Sequence, residues 1–323
     1  CYLSVKMSVK YPSKVIINEV GPRDGLQNES QTISLEHKLN LVNSLIKSGL
    51  TSIEVGSFVS PKWVPQMANS GKLIDALQLN CNREISISAL VPNIKGLELA
   101  LISKIPKIAI FASASETFSQ KNTNCSIEES MTRFKEVCQR AKNHNLSIRG
   151  YVSCAFGCPY EGEINISNVV SLSEKLIDMG CYEVAISDTN GVGTPEQTKL
   201  IIDELSESLP IDKIAMHMHD THGRAIENIQ IALSYGISSI DASVAGLGGC
   251  PYAPGSSGNV ATEDVVNLLN DLNIEHGINL QRLIATGNTI STILNRKNSA
   301  RILQQSKAPS QGLLPIDFEN TDV

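Results

Sequence analysis

The sequence predicts an α/β fold, a (β/α)8 TIM barrel with additional C-terminal helices, on three observations. Short Val/Ile-rich runs alternate with amphipathic segments along most of the chain, the pattern of parallel strands joined by helices. The runs number eight, the count at which strand-then-helix repeats close on themselves. A length of 323 residues with 41% hydrophobic composition suits one such unit around a single core, although length alone would also allow two domains.

The strand candidates are residues 15–20, 52–55, 85–90, 107–111, 147–152, 183–187, 213–218 and 239–243. Helical patterns between them include 35–47, 127–142, 169–179 and 195–209. Several end in a glycine or asparagine just before the next strand, as in Ser48-Gly49, Asn143-His144-Asn145, Met179-Gly180 and Tyr235-Gly236. Those residue types accept the left-handed backbone that stops a helix. A Gly/Pro-rich loop at 245–258 follows the eighth strand, then helices at 261–272 and 280–295. Residues 11–306 are expected to form one catalytic barrel with its C-terminal helices, and 307–323, rich in Pro, Ser and acidic residues, a disordered tail. An open doubly wound sheet is the alternative, but Gly21 and Gly25 do not fit the Gly-rich dinucleotide turn it would carry after an early strand.

The net charge is −6 with no basic block, so neither nucleic acid nor a membrane surface is an expected partner. No apolar run reaches the roughly 18 residues of a membrane span, and a soluble protein is expected. Eight cysteines without a signal peptide read as reduced thiols in an intracellular compartment, a bacterial-type cytoplasm or, alternatively, a mitochondrial matrix. Cys154 and Cys158 lack the second ligand pair of a structural zinc site. The first residue is Cys1 and the first methionine Met7, which reads as an upstream extension or a processed end. The segment before Tyr11 is not Arg-rich, against an intact mitochondrial presequence.

The seventh strand candidate ends in Met216-His217-Met218-His219-Asp220. Residues i and i+2 of a strand share a face, so both imidazoles point inward and Met216 and Met218 the other way. An isolated His-x-His is more often a hydrogen-bonded core pair than a ligand pair. Here other polar residues gather at the same rim, the C-terminal ends of the strands, where barrels place active sites. Arg23, Asp24 and Gln27 follow strand one, Glu54 lies in strand two, Asp188-Thr189 ends strand six, and Cys250 and Asn259 follow strand eight. Singly, each has a structural explanation: Asp24 a turn cap, Glu54 a partner for a buried arginine, Asn259 a cap for the following helix, Asp188 a cap before Pro195. Together, Asp24, His217, His219 and Asn259 would supply two oxygen and two nitrogen ligands with positions left open. That set suits octahedral Mg²⁺ or Mn²⁺ better than structural zinc.

Three motifs, Gly21-Pro22-Arg23-Asp24-Gly25-Leu26-Gln27-Asn28, Ser57-Phe58-Val59-Ser60-Pro61-Lys62-Trp63-Val64-Pro65-Gln66-Met67 and Gly246-Leu247-Gly248-Gly249-Cys250-Pro251-Tyr252, resemble the 3-hydroxy-3-methylglutaryl-CoA lyase family, as does Gly150-Tyr151-Val152-Ser153-Cys154-Ala155. Arg23, Asp24 and Glu54 also match the wider superfamily of metal-dependent lyases and Claisen-type synthases. The resemblance implies cleavage of (S)-3-hydroxy-3-methylglutaryl-CoA to acetyl-CoA and acetoacetate, in leucine degradation and ketone-body metabolism, by a homodimer acting on an acyl-CoA. It assigns a divalent metal to Asp24, His217, His219 and Asn259, substrate activation to Arg23, and acid/base work to Cys250 with Glu54 nearby, and counts Asp24 among the catalytic residues as well. It places Arg23, Gln27, Ser57, Asp188, Gly248 and Gly249 against substrate.

Those residue types suit a retro-aldol cleavage, which needs the substrate hydroxyl deprotonated, the nascent enolate stabilised and its carbon reprotonated. A guanidinium serves the enolate oxygen, and a thiol on a glycine-rich loop serves the carbon. Glu54 fits best as an orienting partner of Arg23. Lys62, Lys95 and Lys121 lie on or near βα loops where CoA phosphates would pass, although each also reads as an ordinary solvated lysine. The rival readings are a lyase for a longer branched 3-hydroxyglutaryl-CoA, a condensing acyltransferase of the same superfamily, and a catalytically silent metal-binding scaffold. The condensing enzyme would carry an accessory C-terminal domain, for which the residues after Lys297 are too few. A scaffold would need neither Arg23 nor Cys250.

Overall fold

The computed structural model describes residues 10–77, 85–250 and 253–305, with the side chains of 250, 253–257 and 305 excepted. The tail expected at 307–323 and the segment before residue 10 lie outside the described residues. Eight parallel strands close into a barrel: β1 (Ile16–Glu19), β2 (Ser52–Ser57), β3 (Ser86–Leu90), β4 (Lys107–Ser113), β5 (Ser147–Ser153), β6 (Glu183–Asp188), β7 (Ile214–Met218) and β8 (Ser239–Ala242), with β8 pairing back onto β1. Each strand pairs with its sequence neighbours, as expected for right-handed crossovers through intervening helices.

Local chemistry sets the helix ends. The helix Leu35–Lys47 is capped by Ser34, which accepts from His37 N, while Ser126 with Glu129 and Thr194 with Gln197 form capping boxes. The expected stops act as such: Gly49, Asn145, Gly180 and Gly236 take φ of 103°, 57°, 100° and 91°. One expectation is corrected. The 245–258 stretch is not all loop but holds two short antiparallel strands, β9 (Gly249–Cys250) and β10 (Ala253–Ser257). Glycine and proline mask a strand signal that rests on backbone pairing alone.

The main core fills the space between sheet and helices, and Met216 and Met218 point into it. A second cluster, Leu90, Ala109, Tyr151, Ala185 and Ala215, lies inside the barrel. Three alanines in that layer leave room for long polar side chains from neighbouring strands, and that space houses the site's support. Among the described residues, no helix is long and apolar enough to cross a membrane.

Candidate active site

The loop leaving β1 is a single π-helical turn, Gly21–Gly25, entered through Pro22. Such turns occur often at functional sites, because the extra residue rotates side chains out of helical register. Here it presents Arg23 and Asp24 to the barrel mouth. Arg23 Nε donates to Glu54 Oε1, and its NH1 donates to Asp24 Oδ1 at 2.6 Å. The Tyr151 hydroxyl, from β5, donates to the other Glu54 oxygen at 3.1 Å, and the Arg23 guanidinium lies 5.5 Å from the Tyr151 ring centroid. Both Glu54 oxygens are thereby committed, and Arg23 is held on three sides. Burial alone would lower the Arg23 pKa, but the charges of Glu54 and Asp24 outweigh it, so the guanidinium stays charged.

His217 lies on β7 and His219 just beyond it, with ring centroids 5.4 Å apart. The Nε2 atoms of both are 3.9 Å from Asp24 Oδ2, and one ligand atom from each of Asp24, His217 and His219 lies within 4.8 Å of the others. Asn259 pairs with His219 through an isolated bridge, and its side-chain amide donates to Asp24 Oδ2 at 2.8 Å. Backbone bonds from Asp220 N to Gly258 O, at 2.7 Å, and from Val260 N to Met218 O, at 3.0 Å, fasten this segment along β7. The donor set fits a dication. Burial, followed by the neighbouring His217, pushes the His219 pKa down to about 4, leaving a neutral ring at neutral pH. Burial would raise Asp24, yet Arg23, His217 and His219 together hold its carboxyl well below the usual range. A neutral imidazole beside a carboxylate that stays ionised is what a metal ion requires of its ligands.

The HMGL-like family model matches residues 14–290. The mitochondrial hydroxymethylglutaryl-CoA lyase of Homo sapiens is 48% identical over 293 residues, spanning 91% of this chain and 90% of that protein. The chain belongs to the HMGL-like family of hydroxymethylglutaryl-CoA lyases. A Pseudomonas aeruginosa relative, named 3-hydroxy-3-isohexenylglutaryl-CoA/hydroxy-methylglutaryl-CoA lyase, is 48% identical over 290 residues, covering 90% of this chain and 96% of its own. The crystal structure of a hydroxymethylglutaryl-CoA lyase from that organism superimposes with a TM-score of 0.89 at 47% identity, over 92% of this chain and 99% of the other.

The remaining residues read as lyase contacts fall into two groups. Some are committed to the protein. Both Asp188 oxygens accept backbone N–H groups, from Val192 at 3.0 Å and Gly193 at 2.9 Å, and burial lifts its pKa to about 6. Thr194, not Asp188, caps the helix that begins at Pro195, and Asn259 does not cap the helix that begins at Thr262, where Ala261 holds the cap position without a side-chain bond. Ser57 Oγ donates to Leu90 O at 3.4 Å and accepts from Val59 N at 3.3 Å. Others are not engaged in this way. Gln27 Oε1 is buried without a hydrogen-bond partner among the described residues. Gly248, at φ +102°, brings its backbone beside Asn259, where a Cβ would sit 2.9 Å from the amide nitrogen, while a Cβ on Gly249 would meet nothing within 4 Å. The Cys250 side chain lies outside the described residues.

Several residues absent from the sequence-based set of this lyase prove central. Arg149 on β5 donates to Glu183 Oε1 at 2.6 Å and, bidentately, to Asp241 at 2.9 and 2.7 Å, and Asp241 Oδ2 lies 3.1 Å from His217 Nδ1. Glu19, at the end of β1, accepts from Gly21 N at 2.8 Å, Val244 N at 2.9 Å and Thr262 Oγ1 at 2.7 Å, joining the loops after the first and last strands. The signal available in sequence was a charged residue inside an otherwise apolar strand run, which burial at that scale requires to be paired.

Proposed function

We propose that this chain cleaves 3-hydroxy-3-methylglutaryl-CoA to acetyl-CoA and acetoacetate by a retro-aldol step, as the names of its relatives imply. The observation that carries the reading is the guanidinium of Arg23 bonded to Asp24, the same carboxylate that faces both histidines. Asp24, His217, His219 and Asn259 would hold Mg²⁺ or Mn²⁺, which when bound supplies Lewis acidity toward the substrate's oxygens. The remaining work belongs to the side chains. Arg23, oriented by Glu54 and Tyr151, donates to the thioester oxygen as it gains enolate charge. Among the rim carboxylates, Arg23 keeps Asp24 weakly basic, and Asp188, lifted to about 6 by burial, has both oxygens engaged by backbone N–H groups and lines the substrate's space. Cys250, on the loop of Gly246, Gly248, Gly249, Gly255 and Gly258, returns a proton to the enolate carbon. We further propose a homodimer in a reducing compartment.

A second reading, activity on a longer branched 3-hydroxyglutaryl-CoA, is favoured by the printed name of the Pseudomonas relative. One coupled assay tests both: acetyl-CoA and acetoacetate formation from the methyl substrate, and the matching products from longer-chain analogues, in chelator-treated protein with Mg²⁺ or Mn²⁺ restored. Full turnover after exhaustive chelation would contradict the dication, and turnover of neither substrate with metal restored would contradict the lyase.

A further inference from the structure

We propose that Asp241 is a positioning residue for His217: held by Arg149, it fixes the imidazole with its proton on Nδ1 and its Nε2 lone pair turned to the Asp24 side. The inference rests on the dication reading above and deepens it.

The arrangement follows from strand register. His217 and Asp241 are direct partners on the adjacent strands β7 and β8, and Arg149 and Glu183 are direct partners on β5 and β6. Side chains at paired positions of parallel strands share a face, so all four project into the lumen. Arg149 reaches from β5 to β8, placing two parallel N–H groups on the two Asp241 oxygens and its Nε–H on Glu183. A bidentate fork of this kind fixes the carboxylate in plane as well as in place. Asp241 Oδ2 then faces His217 Nδ1 at 3.1 Å. A carboxylate paired with a guanidinium has no proton to give, so the ring nitrogen must be the donor. The opposite ring nitrogen, Nε2, is the atom that faces Asp24. The ring is further confined by Tyr151, whose ring meets it edge-on at 5.7 Å between centroids, and Tyr151 itself lies over Arg149, 5.0 Å from guanidinium to centroid. His219, the other histidine of the pair, has no carboxylate partner on its Nδ1 among the described residues. His217 is therefore the ligand of the two that a carboxylate presets, while His219 has only the Thr189 backbone to lean on, and the ion triad beneath His217 is the device that presets it.

The test uses full-length protein with ¹⁵N-labelled histidine, stripped of metal. The ring nitrogens of His217, assigned by loss of its signals in His217→Gln, are expected to show a protonated Nδ1 and an unprotonated Nε2. Asp241→Asn keeps the shape but can turn its amide toward Nδ1, which then has to accept. The proton is expected to move to Nε2, and Mn²⁺ affinity, read by the fall of the free-ion paramagnetic resonance signal, to drop roughly 10- to 100-fold. Glu183→Gln disturbs Arg149 without touching His217 and is expected to leave the tautomer as it is, which separates positioning from general destabilisation. A wild-type ring protonated on Nε2 overturns the inference whether or not any variant folds. So does an Asp241→Asn protein with unchanged tautomer and Mn²⁺ affinity within threefold of wild type. A wild type that takes up no dication at all would sink the metal reading instead, and the tautomer would still decide this one.

Discussion

Arg23 makes its two charged bonds to Glu54 and Asp24 in a site where water has little access, and in the proposed reaction its contribution would be to charge that develops during cleavage. Arg23→Lys retains a positive charge but loses the fork that meets both carboxylates. It is expected to lower kcat about 10²- to 10³-fold with a much smaller change in KM, and steady-state kinetics showing the reverse split would assign Arg23 to binding. His219→Ala is expected to abolish Mn²⁺ uptake in equilibrium dialysis, while Cys250→Ala is expected to keep the ion and lose turnover. Loss of metal from the cysteine variant would place the thiol among the ligands. At this scale the sequence was legible where a residue's neighbours lie two positions away, as for His217 and His219, or where a motif is dense, as for Arg23-Asp24. For Asp241 and Arg149 the sequence signals a buried charge in need of a partner but not which partner, because that depends on which strands lie opposite one another.

The loops after β1 and β8 are the elements that decide the site, and they touch through glycine. A Cβ on Gly25 would lie 2.7 Å from Leu247 Cβ and 2.7 Å from Ser243 Oγ, both on the loop after β8. Gly25→Ala is therefore expected to push the two loops apart, costing about 1–3 kcal/mol of stability and loosening the Asp24–Asn259 contact with its metal affinity. Urea denaturation with an unshifted midpoint would show that the loops accommodate the methyl. Strand positions were read with little error because apolar runs mark them, yet β2 and β4 each run two residues beyond their sequence-derived ends, through Gly56-Ser57 and Ala112-Ser113. Those residues have little strand preference of their own. Pairing with β3 and β5, Ser57 to Leu90 and Ser113 to Ser153, keeps them extended.

Across the whole molecule, the closure of the barrel buries Glu19 and Glu263 together beneath the loop after β8. Burial lifts Glu19 from 4.5 to about 7, against the hydrogen bonds from Thr262, Val244 and Gly21 that pull it down, and lifts Glu263 to about 8. The folded chain thus keeps a proton on Glu19 at pH values where the unfolded chain has released it. Its contribution to stability is complete below about pH 4.5 and is lost as pH rises through about 7. Glu19→Gln holds the donors without titrating, so the stability difference, wild type minus variant, is expected to fall by about 1–3 kcal/mol between pH 5 and pH 8. Denaturation curves that keep a constant gap over that range would place the Glu19 titration elsewhere.

Because β8 returns to β1, Asp24 meets an asparagine 235 positions further along the polypeptide. A nascent chain still missing Asn259 on the ribosome would own three of the four proposed ligands and lack the last. Likewise, two half-barrels produced by a cut between β4 and β5 would divide the proposed ligands, Asp24 in one fragment and His217, His219 and Asn259 in the other. Tight retention of a dication by the mixed fragments, and by neither alone, would then report reassembly of the halves before any turnover is measured.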